Sequence, residues 1–452
     1  MLQSEIKSGK IYANVKECEK MSLTFKGGLH PEENKITAKS PIEVMPEPAT
    51  VAIAMSQHIG APCNPTVKKG DYVFKGQPIG EAQGALTCPV HSSISGTVLK
   101  LEDRVGAFGQ KVTHVVIEND FKSELYPEIK PCETPLEEAE FEQIVDIIKN
   151  AGIAGMGGAT FPTHFKISSA KGKVSKLIVN CCECEPYITA NHRLMLERPS
   201  DIINGVKVVM KALDLKLCDI AVEDNKKDAI KVLNELLEKE EGICVKILKT
   251  KYPQGDERQL IYAIDKVEIP AGKLPADVGR VVLNAETSSA IWRAFKYGMP
   301  LIDRIMTVTG DCVREPKNLR VPLGTSFSDI IEFCGGFTSE VEKIISGGPM
   351  MGIAQWDKDA PVIKGTASIL CFGKSKTNRG PENCIHCGKC VGSCPMHLMP
   401  LYLASFAKIG DWDSCKAFDV MSCVECGCCT YQCPGNVPIV QYIRTAKGKL
   451  KK

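Results

Sequence analysis

The sequence predicts a multidomain chain of mixed α/β and α+β class, with a parallel-sheet domain between two small β-rich modules and a cysteine-rich module at the end. Three observations predict it. Short β segments broken by Gly and Pro crowd the stretch from Glu43 to Asp120, and helix and strand signals alternate from Thr134 to Met299. An eleven-position cysteine pattern is then written twice in the last seventy residues. At 452 residues the chain exceeds one ordinary domain and has room for three or four.

Residues 1–42 are read as an N-terminal segment and 43–125 as a barrel-sandwich hybrid domain. Val67 to Val73, Gly76 to Gly80 and Ser95 to Val98 alternate strand residues with turn residues every few positions. The pattern resembles biotinyl and lipoyl carrier domains. A swinging prosthetic group needs a lysine at the hairpin tip, however, and none occurs between Gln77 and Leu99. The module is therefore read as structural or as a docking surface.

From 134 to 300 the periodicity is that of a Rossmann-like domain. Glu137 to Asn150 is an amphipathic helix, Lys176 to Asn180 a buried strand and Pro199 to Leu213 a helix opened by proline. Strands at 219–223, 243–248 and 280–283 alternate with helices at 226–239 and 286–297. Such a sheet is parallel, covered on both faces, and takes ligands at the carboxyl ends of its strands. Residues 301–360 outline a β-grasp module ending in Gly347-Gly348-Pro349-Met350-Met351-Gly352, and a Pro/Gly linker leads on to a module at 374–446.

In that last module, Cys384, Cys387, Cys390 and Cys394-Pro395 are repeated 39 residues later as Cys423, Cys426, Cys429 and Cys433-Pro434. Thiolates at every third position grip three corners of a cuboidal cluster, and the cysteine before proline ligates the other cluster. Two [4Fe–4S] clusters follow, one on Cys384, Cys387, Cys390 and Cys433, the other on Cys423, Cys426, Cys429 and Cys394. Paired C-x2-C also serves zinc ribbons, but a zinc site gives no reason for two four-cysteine runs each closed by Cys-Pro. His386 and His397, beside the first run, are read as tuning or surface residues.

The net charge of +2 and the lack of a basic stripe interleaved with aromatics exclude a nucleic-acid partner. No apolar stretch nears the roughly 20 residues that cross a bilayer, and no secretory signal segment is seen. A reducing, cytoplasmic setting for the 22 cysteines is expected. Lys447, Lys449, Lys451 and Lys452 form a solvated tail that could also touch anionic lipid or an acidic partner.

Two further stretches carry chemistry. Gly152 to Pro162 holds Gly155, Gly157 and Gly158, with Lys166 four residues on; glycines let backbone N–H groups approach a phosphate, though the spacing alone also allows a flexible surface loop. Asn180-Cys181-Cys182-Glu183-Cys184-Glu185-Pro186-Tyr187 continues the strand 176–180 and so lies at its carboxyl end. Glu183 and Glu185 there can accept hydrogen bonds from a ribose or from flavin ring nitrogens. No fourth ligand accompanies Cys181, Cys182 and Cys184, whose role the sequence leaves open. Tyr252 to Glu257 and Asn284 to Thr287 sit at two more strand ends.

These residues resemble the 51 kDa FMN- and NADH-binding subunit family of respiratory complex I, through the loop 155–162 with Lys166, the Asn180/Glu183/Glu185/Pro186 segment, Gly255-Asp256-Glu257 and Asn284-x-Glu286-Thr287. That family carries one cluster on a helical bundle, whereas this chain ends in two cysteine runs. The whole order of modules, with the phrase Glu183 to Ala190, resembles the RnfC family of the Rnf complex. The resemblance implies a noncovalent FMN on Gly155, Gly157, Gly158, Lys166, Asn180, Glu183 and Asn284. NAD(H) is its implied substrate, with Phe161, Glu185 and Glu257 as contacts; Thr160 stands where the 51 kDa family usually has glycine.

The expected activity is that of one subunit in an ion-transporting ferredoxin:NAD+ oxidoreductase. It would sit on the cytoplasmic face of a bacterial membrane, beside integral membrane subunits and the ferredoxin-accepting iron–sulfur subunit. No acid, base or nucleophile is needed, because a flavin takes a hydride and releases electrons singly to one-electron clusters. A soluble cobalamin reductase of similar module order, and a wiring scaffold with a dead flavin site, are the alternatives.

Overall fold

In the computed structural model, which describes residues 23–84, 86–106, 110–374, 380 and 383–451, the chain folds into four packed modules. The central one is a four-stranded, wholly parallel sheet in the order Ile243–Leu248, Cys218–Glu223, Lys176–Asn180, Arg280–Asn284. Its strands are apolar runs because both faces are covered. Leu177 and Val179 face a core built by helices Phe141–Asn150, Pro199–Leu213 and Ala285–Tyr297, while Ile178 faces helix Glu257–Asp265 on the other side. Helices Thr163–Ala170 and Ala190–Glu197 add to the expected set.

The barrel-sandwich expectation holds. Thr50–Ala54, Lys111–Asn119, Gly96–Val105 and Tyr72–Val73 form one sheet; Asn64–Pro65, Pro78–Glu81 and Val90–His91 form the other. The β-grasp module is larger than the stretch 301–360 suggests. Its six-stranded sheet runs Ile42–Val44, Lys317–Pro322, Asp303–Gly310, Ser368–Phe372, Lys343–Ser346, Ile353–Gln355, so strands from before and after that stretch join it. The strand Ile42–Val44 pairs in parallel with Lys317–Pro322, which draws the N-terminal segment across the molecule.

The last module is helical. Pro400–Ile409, Trp412–Ala417 and Ile439–Leu450 bury Leu403, Ala407, Cys415 and Ile443 against one another. Two short helices, Lys389–Ser393 and Cys428–Tyr431, each begin just after a positive-φ glycine, Gly388 and Gly427. Among the described residues no helix is long and apolar enough to cross a membrane.

Candidate redox site

Parallel strands deliver their loops to one end of the sheet, and those loops converge here. Asn180 ends one strand; its Nδ2 donates to the Gly255 carbonyl at 2.7 Å and its Oδ1 accepts from Cys182 N–H at 3.1 Å. Gly255 N–H donates to the Cys184 sulfur at 3.3 Å, so the two loops are laced together. Asn284 ends another strand and caps helix Ala285–Tyr297, accepting from Glu286 N–H at 2.9 Å. A Cβ on Gly157 would lie 2.9 Å from Asn284 Nδ2, which puts the glycine loop against this strand end.

That loop is pinned from behind. Gly155 N–H donates to Phe161 O at 2.8 Å and Met156 N–H to Thr287 Oγ1 at 3.0 Å. Two buried cations capture its carbonyls: Lys364 Nζ donates to Gly152 O at 2.7 Å, and Arg304 Nη2 donates to Met156 O at 3.3 Å while pairing with Glu286 at 2.9 Å. With carbonyls drawn inward, Gly157, Gly158 and Ala159 stand exposed, and their N–H groups meet no acceptor among the described residues. Lys166 donates to Val282 O at 3.1 Å and lies 3.6 Å from Glu257.

Buried polar atoms of the converging loops also lack partners among the described residues. Both amide atoms of Gln254, whose side chain is fully buried between Pro253 and Gly255, are unpaired, as is Glu223 Oε1 at a third strand end. Such groups cost free energy until a bound polar molecule or water meets them. Exposed N–H donors, a nearby lysine and orphaned buried amide atoms fit a phosphate-bearing, hydrogen-bonding cofactor.

Two expected contacts are engaged within the protein. The Glu183 carboxylate accepts from Asn191 N–H at 2.8 Å and His192 N–H at 3.3 Å, so it satisfies the open first turn of helix Ala190–Glu197. Glu185 accepts from Met350 N–H at 3.0 Å and Met351 N–H at 2.9 Å in the glycine-rich loop of the β-grasp module. Phe161 packs edge-on to Phe165, with centroids 5.9 Å apart. Asn180 and Asn284 end strands, Gly157 packs on Asn284, Lys166 reaches Val282 O and Glu257, and Gly155 and Gly158 lie in the same loop as Gly157, Gly158 exposed.

Residues without a sequence signal complete the site. Lys35 comes from the N-terminal segment and is half-buried; its Nζ donates to Glu183 O, Glu185 O and Ile188 O at 2.7, 2.8 and 2.6 Å. Burial lowers its pKa, and the Glu183 charge opposes the shift. Burial resists charging Lys226 as well, yet Glu223 at 2.6 Å, with Glu183 nearby, leaves its pKa raised.

The cysteine runs share one backbone form. Positive φ recurs 39 residues apart at His386 and Glu425, Gly388 and Gly427, and His397 and Asn436. His397 N–H bonds Cys394 O and Asn436 N–H bonds Cys433 O, at 3.2 and 3.1 Å. Cys423, Cys426 and Cys429 line one cavity together with Cys394 of the other run, walled by Pro395 and Leu398. Leu398 N–H points at Cys394 Sγ from 3.4 Å and Glu425 N–H at Cys423 Sγ from 3.3 Å. Cys384 and Cys387 are exposed and Cys390 is buried. Among the described residues no three metal-binding groups converge closely enough for a single ion.

This cavity abuts the sheet's loops. Tyr252, 1% exposed, donates its hydroxyl to Cys426 O at 2.6 Å, and Gln259 Nε2 donates to Pro395 O at 3.3 Å. Leu29, Cys184, Met350 and Val424 pack around the same contact.

Comparison with known proteins agrees with the module order. A model described as the RnfC barrel sandwich hybrid domain matches residues 23–122, the Nuo51 FMN-binding domain matches 148–293, and the SLBB domain matches 305–354. The C component of the Na(+)-translocating ferredoxin:NAD(+) oxidoreductase complex of Acetobacterium woodii is 47% identical over 430 residues, 94% of this chain and 97% of that one. The chain belongs to the RnfC family.

The C component of the proton-translocating ferredoxin:NAD(+) oxidoreductase complex of Clostridium ljungdahlii is 44% identical over 95% of this chain and 94% of its own length. That of the ion-translocating oxidoreductase complex of Rhodobacter capsulatus is 42% identical over 95% and 83%. In this RnfC family member, the β-grasp sheet and its loops supply the amides on Glu185 and, from Arg304 just before the SLBB match, the guanidinium under the glycine loop.

Glu185 gives a testable pH dependence. Burial raises its carboxyl from the ordinary 4.5 to about 7, so the folded state holds the proton more tightly than the unfolded chain. The stabilisation is complete below about pH 4.5 and is lost as pH rises through about 7. Its full size is roughly 3 kcal/mol. Protection of the Met350 and Met351 amides against hydrogen exchange is expected to fall between pH 5 and 8, and Glu185→Gln to flatten that slope. Equal slopes in the two proteins would refute the assignment.

Proposed function

We propose that the chain is the NAD(H)-oxidising or NAD+-reducing electron-transfer subunit of a membrane-bound Rnf complex. It would pass electrons among two [4Fe–4S] clusters, a noncovalent FMN and NAD+ during ferredoxin:NAD+ oxidoreduction coupled to Na+ or H+ translocation. Its partners would be the integral membrane subunits and the ferredoxin-accepting iron–sulfur subunit, with the chain peripheral on the cytoplasmic face. The observation that carries the reading is the single cavity shared by Cys394, Cys423, Cys426 and Cys429, pressed against the strand-end loops through Tyr252. The names of the three relatives support it.

FMN, when bound, supplies the exchange between two-electron hydride chemistry and one-electron carriers. The exposed amides of Gly157, Gly158 and Ala159 would bind its phosphate, aided by Lys166. Asn180 and Asn284, fixed by their bonds to Gly255 and Glu286, would orient the ring, with the Gln254 amide beside them. Glu183 and Glu185 would act indirectly, by fixing the loop 183–188. Phe161 and Glu257, flanking Lys166, would meet NAD(H).

The four cysteines of the shared cavity would hold one cluster, and Cys384, Cys387, Cys390 and Cys433 the other. Burial pushes the thiols of Cys423 and Cys429 up to about 11 and about 12, so they ionise only as iron binds, with release of protons. Backbone N–H groups aimed at Cys394 and Cys423 would stabilise the reduced cluster. The packed ring of Tyr252 keeps water from the contact.

The purified protein is expected to carry one FMN and about eight iron atoms. Cys394→Ser and Cys423→Ser should each halve the iron and remove the same electron-paramagnetic signal, whereas Cys387→Ser should remove the other; FMN stays in all three. Different signals lost in Cys394→Ser and Cys423→Ser would overturn the crossed ligation. Gly157→Ala, pressing on Asn284, is expected to weaken FMN binding about tenfold in fluorescence titration, about 1.4 kcal/mol, with iron unchanged. Unaltered binding would remove Gly157 from the site.

A further inference from the structure

The segment from Leu23 to Val44 touches the parallel sheet, the Cys394 loop, two strand-end loops and the β-grasp sheet in turn. Leu23 bridges the sheet edge, donating to Ile247 O at 3.1 Å and accepting from Lys249 N–H at 2.9 Å. Gly28 N–H donates to Ser393 O at 3.0 Å, one residue before Cys394, and Leu29 exchanges two backbone bonds with Tyr252, at 2.8 and 2.9 Å. Farther on, Glu33 O accepts from Tyr187 N–H at 2.8 Å, and Lys35 fills the cage of three carbonyls. Thr37 then meets Thr189 at 2.6 Å, and Ile42–Val44 joins the SLBB sheet.

Gly27 and Gly28 lie where this segment is squeezed. Both have positive φ, 75° and 74°. A Cβ on Gly27 would lie 2.7 Å from Cys394 O, and one on Gly28 would lie 2.5 Å from Tyr252 O. Backbone thus meets backbone on both sides, the cysteine loop on one and the strand-end loop on the other.

We propose that Leu23–Val44 is a strap that sets the gap between the Cys394/Cys426 loops and the strand-end loops of the parallel sheet, with Gly27 and Gly28 as its positioning residues. The inference rests on the reading that electrons cross at this gap. In that step NADH leaves as NAD+ after giving up a hydride, and its two electrons pass singly to two oxidised clusters, with the proton released to solvent. The strap takes no part in the chemistry; it keeps donor and acceptor close. Lys35 anchors its far end, since a freed strap would take away the donor that Glu183 O, Glu185 O and Ile188 O share.

The test compares Gly28→Ala with Gly172→Ala in the full-length protein carrying FMN and iron. Gly172 also has positive φ, 72°, but a Cβ there meets nothing within 4 Å, so it isolates backbone strain from collision. NADH is mixed rapidly with each protein, flavin bleaching and cluster reduction are followed separately, and exchange of the Leu29 and Tyr252 amides is measured. In Gly28→Ala, relieving the contact moves the two loops apart, and cluster reduction should slow several-fold. Flavin bleaching, FMN, iron and cluster potentials should stay at the wild-type level, the two amides should lose protection, and Gly172→Ala should match wild type.

Cluster reduction at the wild-type rate in Gly28→Ala overturns the proposal, as does equal slowing in Gly172→Ala. Lys35→Met releases the other anchor and should slow the same step if the strap acts as a unit; it decides the matter should Gly28→Ala not accumulate, and an unchanged rate there overturns the proposal too. If NADH fails to bleach flavin in the wild type, the redox reading is what fails. The amide exchange then still reports whether the strap holds the two loops together.

Discussion

The loops that leave the carboxyl ends of a parallel sheet carry backbone polar groups that no neighbouring strand can satisfy, and the rest of this structure answers to that constraint. Here groups from other modules meet them. Lys35 caps the carbonyls of Glu183, Glu185 and Ile188, Lys364 that of Gly152, and Arg304 that of Met156. Amides of Met350 and Met351 close on Glu185, and the Tyr252 hydroxyl closes on Cys426 O. Apart from the exposed Met351 bond these are buried or partly buried, and loss of any of them would leave a polar group unmet, so the modules are fastened at the site itself.

That fastening has an electrostatic side. Cations beneath the glycine loop hold the carbonyls of Gly152 and Met156, and Gly157 to Ala159 stand exposed beyond them. Exposed backbone N–H groups of this kind suit an anion, without a Walker-type spacing. Because Arg304 lies in strand Asp303–Gly310 of the β-grasp sheet and Lys364 just before its strand Ser368–Phe372, the loop's form depends on a neighbouring module.

The two cysteine runs are near copies in backbone, yet their surroundings differ. The cavity of Cys394, Cys423, Cys426 and Cys429 is buried against Tyr252 and Gln259, whereas Cys384 and Cys387 face outward. A repeat with one docked end and one open end has a direction, which suits passage of electrons between an internal site and an external partner. The strap through Gly27 and Gly28 runs along the docked end only.

Features set by neighbours in sequence were legible from the chain alone. The cysteine spacing, the 39-residue repeat, the four parallel strands and the helix opened by Pro199 are local, because ligand reach, apolar runs and capping act over a few residues. The tertiary structure decided which polar groups answer one another over long stretches of chain. Glu183 and Glu185 looked like ligand contacts, yet their carboxylates serve a helix start and a distant loop. Lys35, Arg304 and Gly28 gave no sign, since a lone lysine, arginine or glycine acquires its meaning from the backbone it meets, and that meeting is fixed only when the modules pack.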